Sequence, residues 1–248
     1  MSLSTYFVIG VLALLSGLTT LVGVALAIHA TRSPKTIAFG IGFSTGIMLL
    51  VSCVELIPAA MSTSNTSQTL IGVGMGAFLM AFLHWLIPHT HLFKEKGQLN
   101  LPLMRTAYLV AFGLILHDIP EGFAMANSFL TSPSLGVLVA LAIALHNIPE
   151  EFAIAVPVAT LQEKNLLYKT AFISGLAEPA GALLGLYAAY LSSALIPFFL
   201  SFAAGAMILV SLHELVPLAK RYGHIHVFVV GMIASALVYT LLTLLLPE

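Results

Sequence analysis

Apolar residues do not alternate with polar ones along this chain. They run on, for about 20 residues at a time, and then stop at a short polar connection. Eight such runs are legible, at roughly 4–29, 36–60, 69–88, 106–130, 134–160, 169–193, 196–219 and 226–246. Each is apolar on all sides, with no polar face to turn toward water, so the surrounding solvent is predicted to be lipid. The pattern predicts an all-α membrane protein of eight transmembrane helices, organised as a single domain over 1–248, with no connection long enough for a soluble domain.

Composition agrees. Hydrophobic residues make up 59% of the 248 and charged residues only 8%, with mean hydropathy +1.05, which is too little charge for a water-soluble bundle. The first run has no preceding Lys or Arg and is too long for the apolar core of a secretory signal. The single cysteine, Cys53, excludes an internal disulfide and a cysteine-rich metal site, and is read as a packing residue. A net charge of -1 gives no reason to expect a nucleic-acid partner.

Charge changes the picture in two ways. Arg32, Lys35, Lys94, Lys96, Arg105, Lys164, Lys169, Lys220 and Arg221 all fall at the connections after spans 1, 3, 5 and 7. The positive-inside rule makes those connections cytoplasmic and puts both termini outside. The acids do the opposite. Glu55, Asp118, Glu121, Glu150, Glu151, Glu178 and Glu214 lie within the apolar runs, where no base accompanies them. An ionised acid at the bilayer centre costs about 3 kcal/mol on insertion scales, so seven unpaired anions would cost roughly 20 kcal/mol, more than a typical protein's whole stability. Those acids must be protonated, reach water, or bind cations.

The chain also repeats itself. "SGLTTLVG" (16–23) returns as "SGLAEPAG" (174–181), and "FSTGIMLLVSCVELIP" (43–58) as "FAAGAMILVSLHELVP" (202–217), with offsets of 158 and 159. "HDIPEGFAMA" (117–126) returns as "HNIPEEFAIA" (146–155), 29 positions on. Spans 1, 2 and 4 thus pair with spans 6, 7 and 5, and Gly72 against Gly231 extends the match to spans 3 and 8. Every pair joins an odd span to an even one, which predicts an inverted 3+2+3 repeat, a common design of secondary transporters.

His117 and Glu121 are four residues apart and share a helix face, as do His146 and Glu150. The same stripes carry the small residues Gly113, Ala124, Ser128, Ala142 and Ala153, which let helices approach closely. Pro120 and Pro149 cannot donate to the carbonyls of Leu116 and Leu145, and each ring pushes its helix open. Asp118 and Asn147 project about 100° around from their histidines, where they add oxygen to a second position. Mixed imidazole and carboxylate donors suit Zn²⁺, Fe²⁺, Mn²⁺, Co²⁺ or Cd²⁺.

On these residues the sequence resembles the ZIP (Zrt/Irt-like protein) family of divalent metal transporters, prokaryotic branch, over its whole length. The resemblance implies a multi-pass protein of the cell (inner) membrane that moves metal into the cytoplasm by sliding one helix bundle against another. Metal is then the transported substrate, with no cofactor, and the partners are the metal ions and the lipid bilayer, with a homodimer as a further expectation. It implies a site, often binuclear, among spans 4, 5 and 6. One position uses His117, Glu121, His146 and Glu150; its neighbour uses Asp118, Glu121, Asn147, Glu150 and Glu178, with Glu121 and Glu150 bridging. Span 2 contributes Met48 and Glu55, and His213 and Glu214 match a site nearer the cytoplasm; these four and Glu151 are candidates for metal or gate roles. Two features depart from the family pattern: Glu151 follows Glu150 where many members have Gly, and the connection after span 3 is short, with only His89 and His91. His29, His89, His91, His224 and His226 are read as interfacial, and His84 is given no role.

The alternative function is an intramembrane metal-dependent hydrolase. "HELVP" at 213–217 falls short of His-Glu-x-x-His, because Pro217 stands where the second histidine belongs. A carrier of organic cations is a third reading, disfavoured by the paired histidines.

Overall fold

The computed structural model describes residues 3–29, 33–86, 102–159 and 164–246, without the side chains of 102–115, 157, 158 and 166. Arg32, His89, His91, Lys94 and Lys96 lie outside the described residues. Every regular element among those described is helical. The helices are α1 (Leu3–Gly17), α2 (Thr19–His29), α3 (Pro34–Leu50), α4 (Ile57–Thr63), α5 (Thr66–Leu86), α6 (Pro102–Thr131), α7 (Pro133–Ala159), α8 (Lys164–Gly175), α9 (Ala177–Leu191), α10 (Ile196–Val210), α11 (Val216–Arg221) and α12 (Ile225–Leu245). Two π-helical segments, Val51–Leu56 and Ser211–Leu215, join α3 to α4 and α10 to α11. Among the described residues, seven stretches are long and apolar enough to cross a membrane: Leu3–His29, Pro34–Thr63, Thr66–Leu86, Pro133–Val156, Leu167–Leu191, Ser193–Arg221 and Ile225–Leu245. The 30 residues of α6 are long enough for an eighth.

Helix continuity differs from what the prolines suggest. α6 and α7 run unbroken through Pro120 and Pro149. The interruptions fall elsewhere, at Leu18 and at Leu176. In the first, the hydroxyls of Thr19 and Thr20 donate to the carbonyls of Ser16 and Gly17 (2.6 and 2.8 Å), taking over acceptors that the helix gives up. In the second, Pro179 has no N–H to offer the carbonyl of Gly175, four residues earlier. The two breaks touch. A Cβ on Gly17 would stand 2.0 Å from the carbonyl oxygen of Gly175, so only glycine permits these backbones to cross.

The π segments also have a local cause. Each precedes a proline, Pro58 or Pro217, whose ring crowds the carbonyl four residues back. Widening the turn relieves the crowding, and the residue before each proline bonds five back, Ile57 N to Ser52 O and Val216 N to Ser211 O.

The packing is by pairs. α3 lies along α12, α5 along α10, α6 along α9 and α2 along α7, while in the middle α7 packs against both α6 and α3. The core there is small and aliphatic, with Met48, Ala124, Ala142, Ile143 and Met207 buried. The outermost helices, α5 and α12, turn large apolar side chains such as Trp85 and Leu244 outward, as a lipid-facing surface requires.

Candidate metal centre

Among the described residues, the buried histidines and acids of this core all stand on α6, α7 and α9. His117, Asp118, Glu121, His146, Asn147, Glu150, Glu151 and Glu178 are all at most 5% exposed. α6 and α7 supply all but Glu178, each presenting its residues just past its own midpoint. Glu178 enters from the first turn of α9, immediately after the break at Leu176, where the helix N-terminus favours a carboxylate.

The two central helices exchange partners. His117 Nε2 stands 2.7 Å from Glu150 Oε1 across the interface, and His146 Nε2 stands 3.1 Å from Glu121 Oε1. His117 Nε2 also lies 3.3 Å from Glu121 Oε1 on its own helix. His146 Nδ1 faces the carbonyl of Ala142 at 3.0 Å, and a carbonyl can only accept, so Nδ1 carries the proton. The Nε2 lone pair of a neutral His146 then points at a carboxylate oxygen. Two acceptors face each other, a contact that holds only with a proton or a cation between them. A fixed Nδ1–H with a free Nε2 is the arrangement in which histidine ligates metals.

Other donors are oriented from outside the pair. Ser44 of α3 donates to Glu150 Oε2 at 2.6 Å. Ser174 of α8 donates to Asp118 Oδ2, and Asn147 Nδ2 donates to Glu178 Oε1. Glu121 Oε2 and Glu178 Oε2 are buried without a hydrogen-bond partner, and His117 Nε2 is close to its carboxylates without hydrogen-bond alignment. Buried carboxylate oxygens of that kind are expensive unless a cation meets them. Among the described residues no three His, Cys, Asp or Glu groups are already closed around one point. The carboxylates are drawn onto the imidazoles instead, and an ion would have to part them.

The remaining candidates separate. Met48 is buried at 1% exposure and accepts a contact from Ser211 Oγ at 3.6 Å. Glu55 does not reach the cluster; its carboxylate accepts from Tyr239 of α12. Glu151 is buried against Gly23 of α2. Glu214 pairs with His84 Nε2, whose Nδ1 is held by the carbonyl of Met80 at 2.6 Å, and the rings of His84 and His213 lie 5.8 Å apart. His84 therefore belongs to a second polar group, although its sequence surroundings carry no signal. Ser44 and Ser174 were also unmarked, except that each sits inside a repeated element, "FSTG" and "SGL".

Bilayer-length helices around a buried knot of imidazoles and carboxylates make up a polytopic membrane transporter for cations. Comparison with known proteins agrees: a profile described as ZIP Zinc transporter matches residues 89–246, well over half of the chain. The chain belongs to the ZIP zinc transporter family. It is 38% identical over 243 residues to the zinc transporter ZupT of Corynebacterium aurimucosum, covering 90% of this chain and 91% of that one. It is 34% identical to the zinc transporter ZupT of Chlorobium chlorochromatii (94% and 96% covered) and 35% identical to that of Streptococcus mutans (95% and 96% covered). The family consists of multi-pass membrane transporters rather than enzymes, which sets aside the hydrolase reading.

Proposed function

We propose that this protein takes up divalent transition metal across the cell (inner) membrane into the cytoplasm, with zinc as its foremost substrate and iron, manganese, cobalt and cadmium as chemically compatible ones. The metal is cargo, not a cofactor. The observation that carries this reading is the reciprocal pairing of His117 with Glu150 and His146 with Glu121, buried at the centre with no lysine or arginine paired to it among the described residues. Borderline-soft nitrogen donors beside carboxylate oxygens suit zinc and its neighbours.

One ion position uses His117, Glu121, His146 and Glu150. A second, richer in oxygen, uses Asp118, Asn147 and Glu178 with Glu121 and Glu150 as bridges. The hydrogen bond from Asn147 to Glu178 supports that neighbourhood. Met48 lines the approach, and His213 with Glu214 lies nearer the cytoplasm. The whole chain, 1–248, acts as one domain, its termini outside, its spans arranged as an inverted 3+2+3 repeat. Three paired features support the repeat: the breaks at Leu18 and Leu176, the π segments before Pro58 and Pro217, and packing of α3 on α12 mirrored by α10 on α5.

Purified protein in liposomes tests the reading. It is expected to carry Zn²⁺, and Glu121→Ala or Glu150→Ala is expected to reduce flux to that of empty vesicles; undiminished flux in both variants would refute the site.

A further inference from the structure

Glu55 lies away from the centre, in the π segment Val51–Leu56, and it is half-buried. It opens onto a cavity of about 520 Å³ at the end of the bundle where α4 ends, α6 turns into α7 and α12 finishes. Ser62, Thr131, Ser132, Ser134 and Thr243 line the same cavity, and Glu55 is the one ionisable group among the described residues that line it. Ser62, Thr131 and Thr243 donate their hydroxyl hydrogens to the carbonyls of Ala59, Asn127 and Thr240, and Ser132 pairs with Ser134, which leaves oxygen lone pairs as acceptors. Those hydroxyls match the oxygen shell of a hydrated cation, and one carboxylate supplies the attraction. Tyr239, 7% exposed on α12, donates its phenolic hydrogen to this carboxylate.

We propose that Tyr239 is a latch on Glu55, a positioning residue that occupies the carboxylate until an arriving divalent cation displaces the phenol, so that the cavity is the capture site of the metal-uptake pathway proposed above. A neutral phenol is a good donor to a carboxylate and a poor metal ligand, so it competes with the ion without retaining it. Its ring is packed and cannot swing to water, which keeps the hydrogen bond in place between arrivals.

Two further groups mark the way inward. Ser52 lies four residues past Met48 and three before Glu55; Ser128 lies seven past Glu121 and three before Thr131. Both hydroxyls are completely buried and have no hydrogen-bond partner. Unpartnered hydroxyls are uncommon in apolar packing. Here they stand on two different helices at the level between the cavity and the central carboxylates, where an ion losing its water would need replacement oxygens. The opposite π segment holds its acid differently: Glu214 is paired with His84, whose imidazole can itself ligate a metal. Among the described residues, the Glu55 end combines an acid, a non-ligating donor and a cavity lined by hydroxyl-bearing residues.

Initial rates of Zn²⁺ uptake into proteoliposomes, measured against zinc concentration for wild type, Tyr239→Phe, Glu55→Gln and the double variant, test the latch. Tyr239→Phe keeps the ring and frees the carboxylate, so KM is expected to fall roughly three- to tenfold without a rise in maximal rate. Glu55→Gln is expected to raise KM, and Tyr239→Phe to have no further effect in that background. An unchanged KM in Tyr239→Phe, or the same shift with Glu55 removed, would overturn the latch and leave Tyr239 a packing residue. Cadmium titration of the detergent-purified proteins separates this from the transport reading. If wild type carries no zinc, that reading fails, while the latch still requires Tyr239→Phe to tighten the Glu55-dependent cadmium binding and is overturned if it does not.

Discussion

The α6 half of the centre and the α7 half are nearly the same ten residues, yet they are held differently. Both present a histidine and a glutamate one turn apart, and these four groups pair reciprocally. Around that shared quartet the halves diverge. Asp118 of α6 accepts a hydroxyl from Ser174, whereas Asn147 of α7 donates its amide to Glu178. Glu150 has an outside donor in Ser44, whereas Glu121 keeps Oε2 unpartnered. Where α6 has Gly122, closely packed on the carbonyl of Glu178, the position 29 residues later in α7 is Glu151, packed on Gly23 of α2. On the proposed repeat Glu178 corresponds to Thr20. Each half therefore has one acid at the contact between a central helix and its neighbour, but from opposite sides: from α9 in one half and from α7 in the other. The quartet tolerates near-symmetry because it surrounds a shared position. The flanks do not, and that asymmetry fits the two unlike ion positions proposed above.

The strongest way to break the comparison is at the quartet. Glu121→Ala and Glu150→Ala should lose zinc uptake to a similar degree, beyond the roughly 100-fold that losing an outer-shell partner costs. A large flux surviving in one of them would mean that the halves are unequal even there. Exchange at the next position sharpens the contrast. Asn147→Asp places a second anion against Glu178 and should reduce uptake more than Asp118→Asn, which still offers Ser174 an acceptor; we expect a loss of order tenfold for the former, read as uptake rate. If the two substitutions cost the same, the partners Ser174 and Glu178 do not distinguish the halves.

Backbone contacts come next. A Cβ on Gly122 would stand 1.9 Å from the carbonyl oxygen of Glu178, against 2.6 Å from that of Ile148 for Gly23. Gly122→Ala should therefore destabilise the protein by about 1–3 kcal/mol, and by more than Gly23→Ala, in thermal unfolding in detergent. The reverse order would show that α9 yields more easily than α7. The smallest effect is expected from the outside donors: Ser44→Ala and Ser174→Ala each remove one buried hydrogen bond, about 1 kcal/mol, equivalent to a severalfold change in KM for zinc.

Much of this was legible before any coordinates. Uniformly apolar runs can only be bilayer helices, and acids without bases in those runs have to find protons, water or metal ions. The i, i+4 spacing places His117 with Glu121 and His146 with Glu150, because the helix itself enforces it. The duplicated motifs suggested that those pairs meet. What the sequence could not supply was which long-range neighbour turns toward which group. Nothing local connects Ser44 to Glu150, 106 residues away, or Tyr239 to Glu55, 184 away.

Local rules also misplaced the strain. The prolines of α6 and α7 are carried within continuous helices, while the breaks came at Leu18 and Leu176, where two glycine backbones press together. Proline chemistry is local, but whether a helix bends, bulges or breaks beside it depends on what packs there. The sequence by itself determined the solvent, the helices and the charge that must be neutralised, since these follow from composition and spacing. The tertiary structure alone decided the partners, the asymmetry of the two halves and the separation of Glu55 from the centre, since these depend on how distant helices cross.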